Sequence, residues 1–486
     1  MKLRKVLSYI KNFEGDENLL ESEVDSIVIN PEKAQKGSLF VSLKKGEEGR
    51  KNIYLALKNG ASAFLSEERY DSKKQIVAKD VRSAYALSAK GLYDGACDKL
   101  KLVAITGTNG KTTTTKILSS ILRQAGKNVG TIGTLGVTTE DMVVDTGFTT
   151  PDPEILHKCL FDMQKKGVEY VVMEASAHSI ELKKLEGLSF EAGVFTNLSQ
   201  DHLDFFGNME TYFQAKKKLF EEGKTKYAII CDADEWGKRL KEEIFLPTFS
   251  YGEKDCDCFA ENEKGSSLGT SFDCTLLGKK LKLDSRFVGE YNIQNLQAAI
   301  LTARMLGVDS EKIQKAIPSI QPAEGRFNTI DFGDKKIIVD FAHTPDGLDK
   351  VLSTAKKLPH NRLVCVFGCG GNRDRGKRPI MGSIAERLCD EVVLTSDNPR
   401  FEKPLEIIEE IERGMQKDSH TKIPKREDAI FYALKNAMAE DLIVVAGKGG
   451  EKYQDIDGIK HPYDDFEVIK NAIEQLSKEE ERKYGN

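Results

Sequence analysis

Glycine, lysine and threonine residues stand together at residues 107–115, where the chain reads GTNGKTTTT. The apolar run at 102–105 is typical of a buried parallel strand, and residues 111–125, followed by a glycine, favour a helix. Glycines between a strand and a helix let backbone N–H groups approach phosphate oxygens at the positive end of the helix. The pattern therefore predicts a nucleoside-triphosphate site in which Lys111 reaches the β- and γ-phosphates and the Thr112 hydroxyl binds Mg²⁺.

The spacing of this loop departs from the standard phosphate-loop pattern, G-x-x-x-x-G-K-S/T. Counting back from Gly110, the first glycine position holds Ile105, so the loop has the shorter form G-T-N-G-K-T. A plain glycine-rich turn before a helix is the alternative interpretation. The flanking strand and helix favour the phosphate-binding interpretation. The short spacing reduces the number of protein families to which the loop could belong.

Two further predicted strand ends carry side chains that could bind a cation. The strand YVVMEAS delivers Glu174, and a carboxylate there is a natural Mg²⁺ ligand beside the phosphate loop, with a helix-capping role as the alternative. The segment TNLSQDHLDFFG places His202 with Asp201 and Asp204 at the same edge, although a lone histidine is more often structural. Three consecutive lysines at 216–218, taken on composition alone, indicate a solvent-facing helix surface.

Length and composition bound the class of protein. At 486 residues the chain is too long for one ordinary core and suggests about three domains. A net charge of −5 argues against a nucleic-acid binder, and the sequence has no run of about 18 apolar residues that would predict a membrane-spanning helix. The start of the chain favours an amphipathic helix over a secretion signal. The nine cysteines then indicate reduced, mostly structural thiols in a cytoplasmic protein.

Alternating strand-like and helix-like segments predict an α/β fold in three domains, at residues 1–99, 100–326 and 327–486. The first has short strands, and a turn at Ser26 with a basic loop that could bind an anion or simply be solvated. The second carries the phosphate loop and a parallel sheet, with a small antiparallel excursion after Cys256. In the third, apolar strands run into polar, glycine-rich loops, which predicts a second ligand site at the carboxyl edge of an open parallel sheet.

Nine motifs occur in order along the chain: GTNGKT, MEASAH, NLSQDHLDFFG with AKKKLF, YNIQN, EGRF, VDFAHTPDGL, GCGGNRDRGKRP, DNPR and GKGGE. Together they make essentially the whole sequence similar to the Mur ligase superfamily. The resemblance implies an N-terminal UDP-binding domain, a central ATPase domain and a C-terminal Rossmann-like domain for an incoming amino acid. It implies an ATP-dependent, amide-forming ligase of peptidoglycan synthesis, and so of cell-wall biogenesis, cell shape and cell division, acting as a cytoplasmic monomer.

The resemblance also implies roles for individual residues in ATP and metal binding. Lys216, the first lysine of AKKK, matches a lysine that carries a CO₂-derived carbamate in this family, which overrides the solvent-facing interpretation for that residue. The implied Mg²⁺ ligands are Thr112, Glu174, His202 and carbamylated Lys216. The implied catalytic set is Lys111, Glu174, His202, Lys216 and Arg326. The implied ATP contacts are Gly107, Thr108, Asn109, Gly110, Lys111, Thr112 and Thr113 at the phosphates, Asn292 and Asn295 at the adenine, Arg326 at a phosphate, and Asp340 at the ribose or nucleotide.

The substrates implied by the resemblance are ATP, UDP-N-acetylmuramoyl-L-alanyl-D-glutamate and a diamino acid. The implied contacts to the sugar nucleotide are Ser26 at the UDP, Thr149, Thr150 and Ser176 at the muramoyl dipeptide, and Lys184 at a commonly basic position. The implied amino-acid pocket is Arg373, Asp397, Asn398, Arg400, Gly447 and Glu451. The DNPR tetrad is associated with meso-diaminopimelate, because Arg400 can fork onto the distal carboxylate that lysine lacks.

Several residues depart from the motifs of the family. Phe206 and Gly450 stand where histidines are common, Asn372 replaces an aspartate and Ala177 a serine. Asn372 and Gly450 flank the implied pocket, so L-lysine or another diamino acid stays an alternative substrate. More distant alternatives are a phosphate-loop kinase or GTPase switch, which needs no amino-acid pocket, and a non-enzymatic nucleotide-binding scaffold, against which the intact GKT and Glu174 argue.

Overall fold

The computed structural model describes residues 1–417 and 420–484, and its strands form three main sheets and one hairpin. The sheets follow one another along the chain, which confirms the predicted α/β class, while the exact domain boundaries near residues 99 and 326 stay predictions. All nine cysteines are free thiols, and seven of them are buried. Within the described residues, no helix combines the length and the apolar surface needed to cross a bilayer.

The N-terminal domain contains a small, mostly parallel sheet. Its strands are β1 Glu14–Gly15, β2 Ser26–Val28, β3 Ser38–Val41, β4 Ala63–Ser66 and β5 Gln75–Val77, and its helices are α1 Leu3–Val6, α2 Glu17–Leu20, α3 Gly46–Lys58 and α4 Val81–Leu92. The sheet order is β1-β5-β4-β3-β2, and only β1 runs antiparallel to its neighbour.

The predicted amphipathic helix at the start of the chain is wrong in extent. The helix α1 has only four residues, after which the chain turns and enters β1. Leu3, Val6, Leu7 and Ile10 still lie in the core of this domain, as their spacing suggests. Beyond these residues the chain joins the sheet through the pairing of β1 with β5 and does not continue as a helix.

The central domain contains the largest sheet. Its strands are β6 Lys101–Thr106, β7 Val129–Gly133, β8 Gly136–Thr138, β9 Val143–Val144, β10 Tyr170–Glu174, β11 Phe190–Phe195, β12 Thr225–Cys231, β13 Thr248–Tyr251, β14 Cys258–Ser266, β15 Gly269–Leu276 and β16 Lys279–Ser285. Its helices are α5 Lys111–Gln124, α6 Pro153–Lys165, α7 Ala177–Glu181, α8 Leu203–Phe206, α9 Met209–Lys217, α10 Glu235–Glu243, α11 Glu290–Met305 and α12 Ser310–Ala316.

The order of this sheet is β16-β15-β14-β13-β12-β11-β6-β10-β7-β8-β9, and β6 lies between β11 and β10, parallel to both. Alternate residues of β6 supply two different cores: Val103 and Ile105 face one, Leu102 and Ala104 the other. This burial on both faces explains why the strand is a continuous apolar run. The predicted antiparallel excursion is confirmed by the pairing of β14, β15 and β16.

The C-terminal domain is a second open sheet with helices. Its strands are β17 Asn328–Phe332, β18 Lys335–Asp340, β19 Leu363–Phe367, β20 Glu391–Leu394, β21 His420–Lys422, β22 Leu442–Ala446, β23 Tyr453–Ile456 and β24 Ile459–Pro462. Its helices are α13 Pro345–Lys356, α14 Lys377–Leu388, α15 Pro404–Glu412, α16 Arg426–Lys435 and α17 Asp465–Tyr484. The order is β17-β18-β22-β19-β20-β21, parallel except for β17, so the loops after β18, β19, β20 and β22 share one edge.

The carboxyl edges of the central and C-terminal sheets face each other. Asn109 Nδ2 in the phosphate loop donates to Asp346 Oδ2 at 2.8 Å, and Gln200 Nε2 donates to Asp374 Oδ2 at 3.1 Å. The buried Lys377 ammonium lies 3.5 Å from the Asp201 carboxylate. A cleft between these two edges is therefore where the strand-end loops of both domains meet.

Candidate active site

The phosphate loop joins β6 to α5 and needs glycine at both of its ends. Gly107 has φ +149°, and a Cβ on it would lie 1.9 Å from Thr196 Oγ1. Gly110 has φ +85°, and a Cβ there would lie 2.3 Å from Asn295 Oδ1. Neither position therefore accepts a larger residue without strain. The strand, loop and helix predicted from the sequence are all present.

The strand end after β11 holds the loop in shape, a support that the sequence alone did not reveal. Asn109 N donates to Asn197 Oδ1 at 3.0 Å, and Thr196 Oγ1 donates to Asn109 O at 2.6 Å. Thr108 Oγ1 donates to Ser199 O at 3.2 Å. The loop is thus held by hydrogen bonds to the residues that follow the neighbouring strand β11.

Lys111 is folded over the loop. Its Nζ donates to Gly107 O and to Thr108 O, each at 2.9 Å. Burial lowers the pKa of this ammonium below its ordinary value, although Glu174 and Asp201 act in the opposite direction. Within the described residues, no carboxylate lies at salt-bridge distance from this ammonium. A phosphate oxygen that accepted a hydrogen bond from Nζ would compensate its charge.

Thr112 and Glu174 form a buried pair of oxygen donors. Thr112 Oγ1 lies 3.0 Å from both carboxylate oxygens of Glu174, whose side chain is fully enclosed. The same carboxylate accepts from Thr134 N at 2.9 Å and from Thr134 Oγ1 at 3.1 Å. Arg326 Nη2 donates to Thr112 Oγ1 at 3.3 Å, so the predicted phosphate-contacting arginine does reach this pair.

This donor set fits a magnesium ion. A hydroxyl and a carboxylate are the hard oxygen ligands that Mg²⁺ prefers, and Mg²⁺ usually takes few protein ligands and completes its shell with phosphate and water oxygens. Among residues 1–417 and 420–484, no three His, Cys, Asp or Glu side chains converge as a ready-made metal cluster. An ion at Thr112 and Glu174 would therefore depend on nucleotide oxygens for the rest of its shell.

Lys216 is buried against the phosphate loop. Its Nζ donates to Gly107 O at 2.9 Å and lies 4.5 Å from the centre of the Tyr212 ring. Burial first, and the nearby Lys111 ammonium second, hold the pKa of Lys216 well below its usual value. Its neighbours Lys217 and Lys218 are half-buried and paired with Glu243 and Glu181, each at 2.6 Å. Composition alone was therefore wrong for Lys216.

His202 is the N-cap residue that immediately precedes α8, and it has a left-handed conformation with φ +55°. Its Nε2 lies 3.3 Å from Asp201 Oδ2, and its ring packs edge-on against His178 with centroids 4.8 Å apart. Burial lowers the pKa of His202 to about 3, so the imidazole is neutral and keeps a nitrogen lone pair for a ligand. Burial would raise the pKa of Asp201, but Lys377, His202 and His343 hold it below its ordinary value.

The residues implied for adenine and ribose are buried and have partners within the fold. Asn292 Nδ2 donates to Val288 O at 2.8 Å, and Thr114 Oγ1 donates to Asn295 Oδ1 at 3.3 Å. Asp340 accepts from two backbone N–H groups, at 2.7 and 2.8 Å. Burial raises the pKa of Asp340 to about 6, against the opposing charge of Arg326. Their contacts to a nucleotide stay predictions.

The residues implied for the muramoyl dipeptide gather at the end of β10. Thr150 Oγ1 donates to Glu174 O at 2.8 Å and accepts from Ser176 N at 3.2 Å, while Thr149 Oγ1 lies 3.2 Å from Thr134 Oγ1. Lys184 and Ser26 do not join this group through direct bonds. Lys184 Nζ pairs with Asp152 at 2.7 Å, and Ser26 Oγ contacts Ser38 Oγ at 3.0 Å in the N-terminal sheet.

The implied amino-acid pocket is assembled from loops of three strands. Asp397 and Asn398 follow β20, and Gly447 and Glu451 follow β22. Asn398 Nδ2 donates to Glu451 Oε2 at 2.9 Å. A Cβ on Gly447 would lie 2.6 Å from Asp397 Oδ2, so the close approach of the two loops requires this glycine.

Lys448 is a central member of this pocket that the sequence analysis missed. Its side chain is fully buried, and its Nζ donates to Asn398 Oδ1 at 3.0 Å and to Glu451 Oε2 at 2.9 Å. In the sequence, only the position of Lys448 inside the GKGGE motif could have indicated this role. Burial would raise the pKa of Asp397, but Lys448 and then Arg426 hold it below its ordinary value. The carboxylates of the pocket are thus neutralised from within.

Two arginines complete this edge of the sheet. Arg400 has φ +52°, donates from Nη1 to Gly371 O at 2.8 Å, and has Nε 3.6 Å from Asp455 Oδ2. Arg373, after β19, is exposed and donates from Nη1 to Asn372 O at 3.1 Å. Burial first, and Arg373 second, lower the pKa of Arg400. Two guanidinium groups that repel each other can be stabilised by an added carboxylate.

Known proteins are similar to this chain over nearly its whole length. The Mur ligase middle domain matches residues 105–303, and the Mur ligase glutamate ligase domain matches residues 325–449. The UDP-N-acetylmuramoyl-L-alanyl-D-glutamate--2,6-diaminopimelate ligase of Clostridium tetani is 38% identical over 98% of this chain and 100% of its own length. The protein of the same name from Aquifex aeolicus is 38% identical, covering 94% of this chain and 95% of its own.

The chain belongs to the Mur ligase family. A solved structure of a UDP-N-acetylmuramoyl-L-alanyl-D-glutamate--2,6-diaminopimelate ligase matches it with a TM-score of 0.70 and 31% identity, over 98% of this chain and 99% of that one. The MurF ligase of Thermotoga maritima in complex with ADP matches with a TM-score of 0.62 over 96% of this chain and 100% of that one. At 19% identity, this second likeness shows the Mur ligase fold alone.

Three departures from the Mur ligase motifs are explained by their surroundings. Phe206 is buried, with its ring centroid 5.0 Å from that of Tyr212. Asn372 has φ +50°, a conformation that asparagine tolerates well, and its Oδ1 accepts from Phe401 N at 3.0 Å. At Gly450, a Cβ would lie 2.7 Å from Glu324 O, so the backbone of the central domain leaves no room for a larger residue.

Proposed function

We propose that the protein is an ATP-dependent ligase that joins meso-diaminopimelate to the D-glutamyl carboxylate of UDP-N-acetylmuramoyl-L-alanyl-D-glutamate in peptidoglycan synthesis. The observation that carries this proposal is the 2.8 Å bond from Asn109 in the phosphate loop to Asp346, where the C-terminal domain meets the phosphate loop. The names of the full-length relatives support the choice of substrates. A kinase or nucleotide switch has no need for the second domain and its charged pocket.

The proposed reaction has two steps. The D-glutamyl γ-carboxylate attacks the γ-phosphorus of ATP, the bond from that phosphorus to the β,γ-bridging oxygen breaks, and an acyl phosphate and ADP form. The amine of the amino acid then attacks the acyl carbon, and the tetrahedral intermediate releases phosphate and a proton to leave the amide. Phosphoryl transfer of this kind depends on in-line placement and on neutralising the transferred charge.

The residues around the phosphate loop have the chemistry for the first step. Lys111 and the loop N–H groups would hold the β- and γ-phosphates, with Arg326 beside Thr112 as a further positive charge. Thr112 and Glu174 would hold Mg²⁺, which supplies a positive charge that draws electron density from the transferred phosphate. The cleft between the two sheets would exclude water from the acyl phosphate.

Lys216 is proposed to carry a carbamate. Its neutral amine would add to the carbon of CO₂ and lose one proton, which converts a neutral amine into an anionic carbamate. Two observations favour this: the side chain is buried beside the Lys111 ammonium, and its pKa is held well below the usual value. An anion there would be stabilised by Lys111, and it would provide oxygen ligands on the same side of the loop as His202.

The amino-acid preference is proposed from the charges of the C-terminal pocket. Asp397 and Glu451 lie beside the buried Lys448, whereas Arg400, whose Nε is 3.6 Å from Asp455, is close enough to Arg373 for the two guanidinium groups to repel each other. Meso-diaminopimelate brings a distal carboxylate that both guanidinium groups would attract, and L-lysine does not. The residues at Thr149, Thr150, Ser176, Lys184 and Ser26 are proposed for the sugar nucleotide on the strength of their motif positions.

The decisive assay measures phosphate released from ATP with the sugar nucleotide and an amino acid added separately and together. Release is expected only when both are present, and more with meso-diaminopimelate than with L-lysine. A Lys111→Ala variant should be inactive, while Lys217→Ala, which removes a lysine paired on the protein surface, should retain activity. Phosphate release that needs neither co-substrate would refute the ligase. Size-exclusion chromatography and cell fractionation test the proposed monomer and its cytoplasmic location.

A further inference from the structure

A guanidinium group lies directly behind the loops of the amino-acid pocket. Arg426, the first residue of α16, is fully buried. Its Nη2 donates to Ala446 O at 3.0 Å, and its Nη1 donates to Ser396 O at 3.4 Å. Those two carbonyls immediately precede Gly447 and Asp397. One side chain therefore connects the last backbone groups before both halves of the pocket.

The guanidinium is itself held by the C-terminal helix. Arg426 Nε and Nη2 donate to the two carboxylate oxygens of Asp465, each at 2.8 Å, and both side chains have no exposed surface. Tyr463 OH donates to Asp465 Oδ1 at 2.9 Å. Because α17 starts at Asp465, the chain of contacts runs from this helix through Arg426 to both loops.

We infer that Arg426, oriented by Asp465, is a positioning residue that sets the distance between the Asp397 loop and the Gly447 loop, and with it the affinity for the amino acid. This inference rests on the proposed function. A planar guanidinium offers five donors in a fixed arrangement, which suits a bridge between one carboxylate and two carbonyls. A fully buried ion pair is, by contrast, a weak source of stability compared with apolar packing.

The pocket is sensitive to this spacing. A Cβ on Gly447 would be only 2.6 Å from Asp397 Oδ2, so the loops already approach as closely as glycine permits. Asn398 and Glu451, one on each loop, are joined at 2.9 Å and share the Lys448 ammonium. A small separation of the loops would break this network and move every group that faces the amino acid.

The same sheet contains a control pair at its other end. Arg362 Nη2 lies 2.6 Å from Asp441 Oδ2, and the Asp441 side chain is fully buried. Arg362 precedes β19 and Asp441 precedes β22, so this ion pair joins the amino ends of strands whose carboxyl ends bear the pocket. It shares the chemistry of the Arg426 pair and lacks its contact with the pocket loops.

The test compares Arg426→Met with Arg362→Met in the full-length protein. Thermal midpoints, kcat, and KM for meso-diaminopimelate, ATP and the sugar nucleotide are measured for each. Arg426→Met is expected to raise KM for the amino acid by roughly tenfold or more, since small misplacements in a site are costly, and to leave KM for ATP within about twofold. Arg426→Lys should recover part of the loss. Arg362→Met should lower the midpoint and leave all three KM values unchanged.

Equal changes in the two methionine variants, or a rise in KM for ATP as large as that for the amino acid, would overturn the inference. If Arg426→Met does not fold, Asp465→Asn removes the charge that orients the guanidinium while keeping the volume, and the same rise in amino-acid KM is expected. Unchanged amino-acid KM in a folded Asp465→Asn variant would also overturn it. Failure of the wild-type protein to ligate any amino acid would instead refute the proposed function.

Discussion

The two edges that face each other across the cleft balance their charges in different ways. On the central side, Lys111 and Lys216 both donate to Gly107 O at 2.9 Å, and within the described residues neither has a carboxylate at salt-bridge distance. On the C-terminal side, Lys448 lies 2.9 Å from Glu451, and Arg426 lies 2.8 Å from Asp465. One edge buries unpaired amines, and the other buries completed ion pairs.

This difference shows what each edge needs from its ligands. Burial lowers the pKa of both central lysines, so that edge gains most from anions such as phosphate, or from CO₂ bound to a neutral amine. On the C-terminal edge the buried Lys448 and Arg426 already have carboxylate partners, and we expect its selectivity to depend on the two guanidinium groups that repel each other, Arg373 and Arg400. Four substitutions test the comparison, beginning with the largest expected effect.

The largest loss is expected from Lys216→Ala, which removes the amine proposed to carry the carbamate. Turnover should fall by at least roughly 10²-fold, the scale observed when one preorganised charge is lost from an active site. Added acetate should restore part of the activity by supplying a carboxylate to the same space. The matched control is Lys217→Ala, since Lys217 is paired with Glu243 away from the loop. Mass spectrometry of an active wild-type protein with an unmodified Lys216 would contradict the carbamate.

Glu174→Ala tests the oxygen pair at the phosphate loop. Turnover is expected to fall by about 10²-fold, because the carboxylate is proposed to hold the ion that neutralises the transferred phosphate. Affinity for the sugar nucleotide, measured by calorimetry, should change much less. Near-normal turnover would remove Glu174 from the mechanism and leave only its bonds to Thr112 and Thr134 as its role.

Arg400→Ala tests the pair of guanidinium groups on the C-terminal edge. The wild-type protein is expected to prefer meso-diaminopimelate over L-lysine by at least roughly tenfold in kcat/KM, and the variant should lose most of that preference. ATP binding should be retained. Arg375→Ala is the control, because Arg375 is exposed and paired with Glu410. If the wild-type protein uses L-lysine equally well, the preference inferred from DNPR is wrong, and Asn372 and Gly450 become the first residues to examine as its cause.

The smallest effect is expected from Gly450→Ala at the contact between the edges. The new methyl group would lie 2.7 Å from Glu324 O, a backbone atom that cannot rotate away. A loss of about 1–2 kcal/mol in the free energy of unfolding is expected from this overpacking. Denaturant unfolding measures it against Gly265→Ala, whose added methyl group would meet nothing within 4 Å. Equal stabilities would mean that the two edges adjust easily to one another.

The sequence by itself determined the features that depend on short-range patterns. The phosphate loop with β6 and α5, the strand end at Glu174, and the polar loops after the C-terminal strands were all predicted, because each is specified by residue types a few positions apart. Parallel strands then bring their carboxyl ends to one edge whatever the details of packing. The family could also be assigned from such short-range patterns, because nine short motifs occur in the expected order along the chain.

Only the tertiary structure decided which of several equivalent residues matter. Lys216, Lys217 and Lys218 are identical in type, yet burial against Gly107 distinguishes the first from its two ion-paired neighbours. Lys448 and Arg426 acquire their roles from contacts with residues 20 to 50 positions away along the chain. The end of α1 at Val6 was likewise not indicated by the periodicity of the sequence. Burial and charge pairing are properties of the packed chain, and local spacing cannot report them.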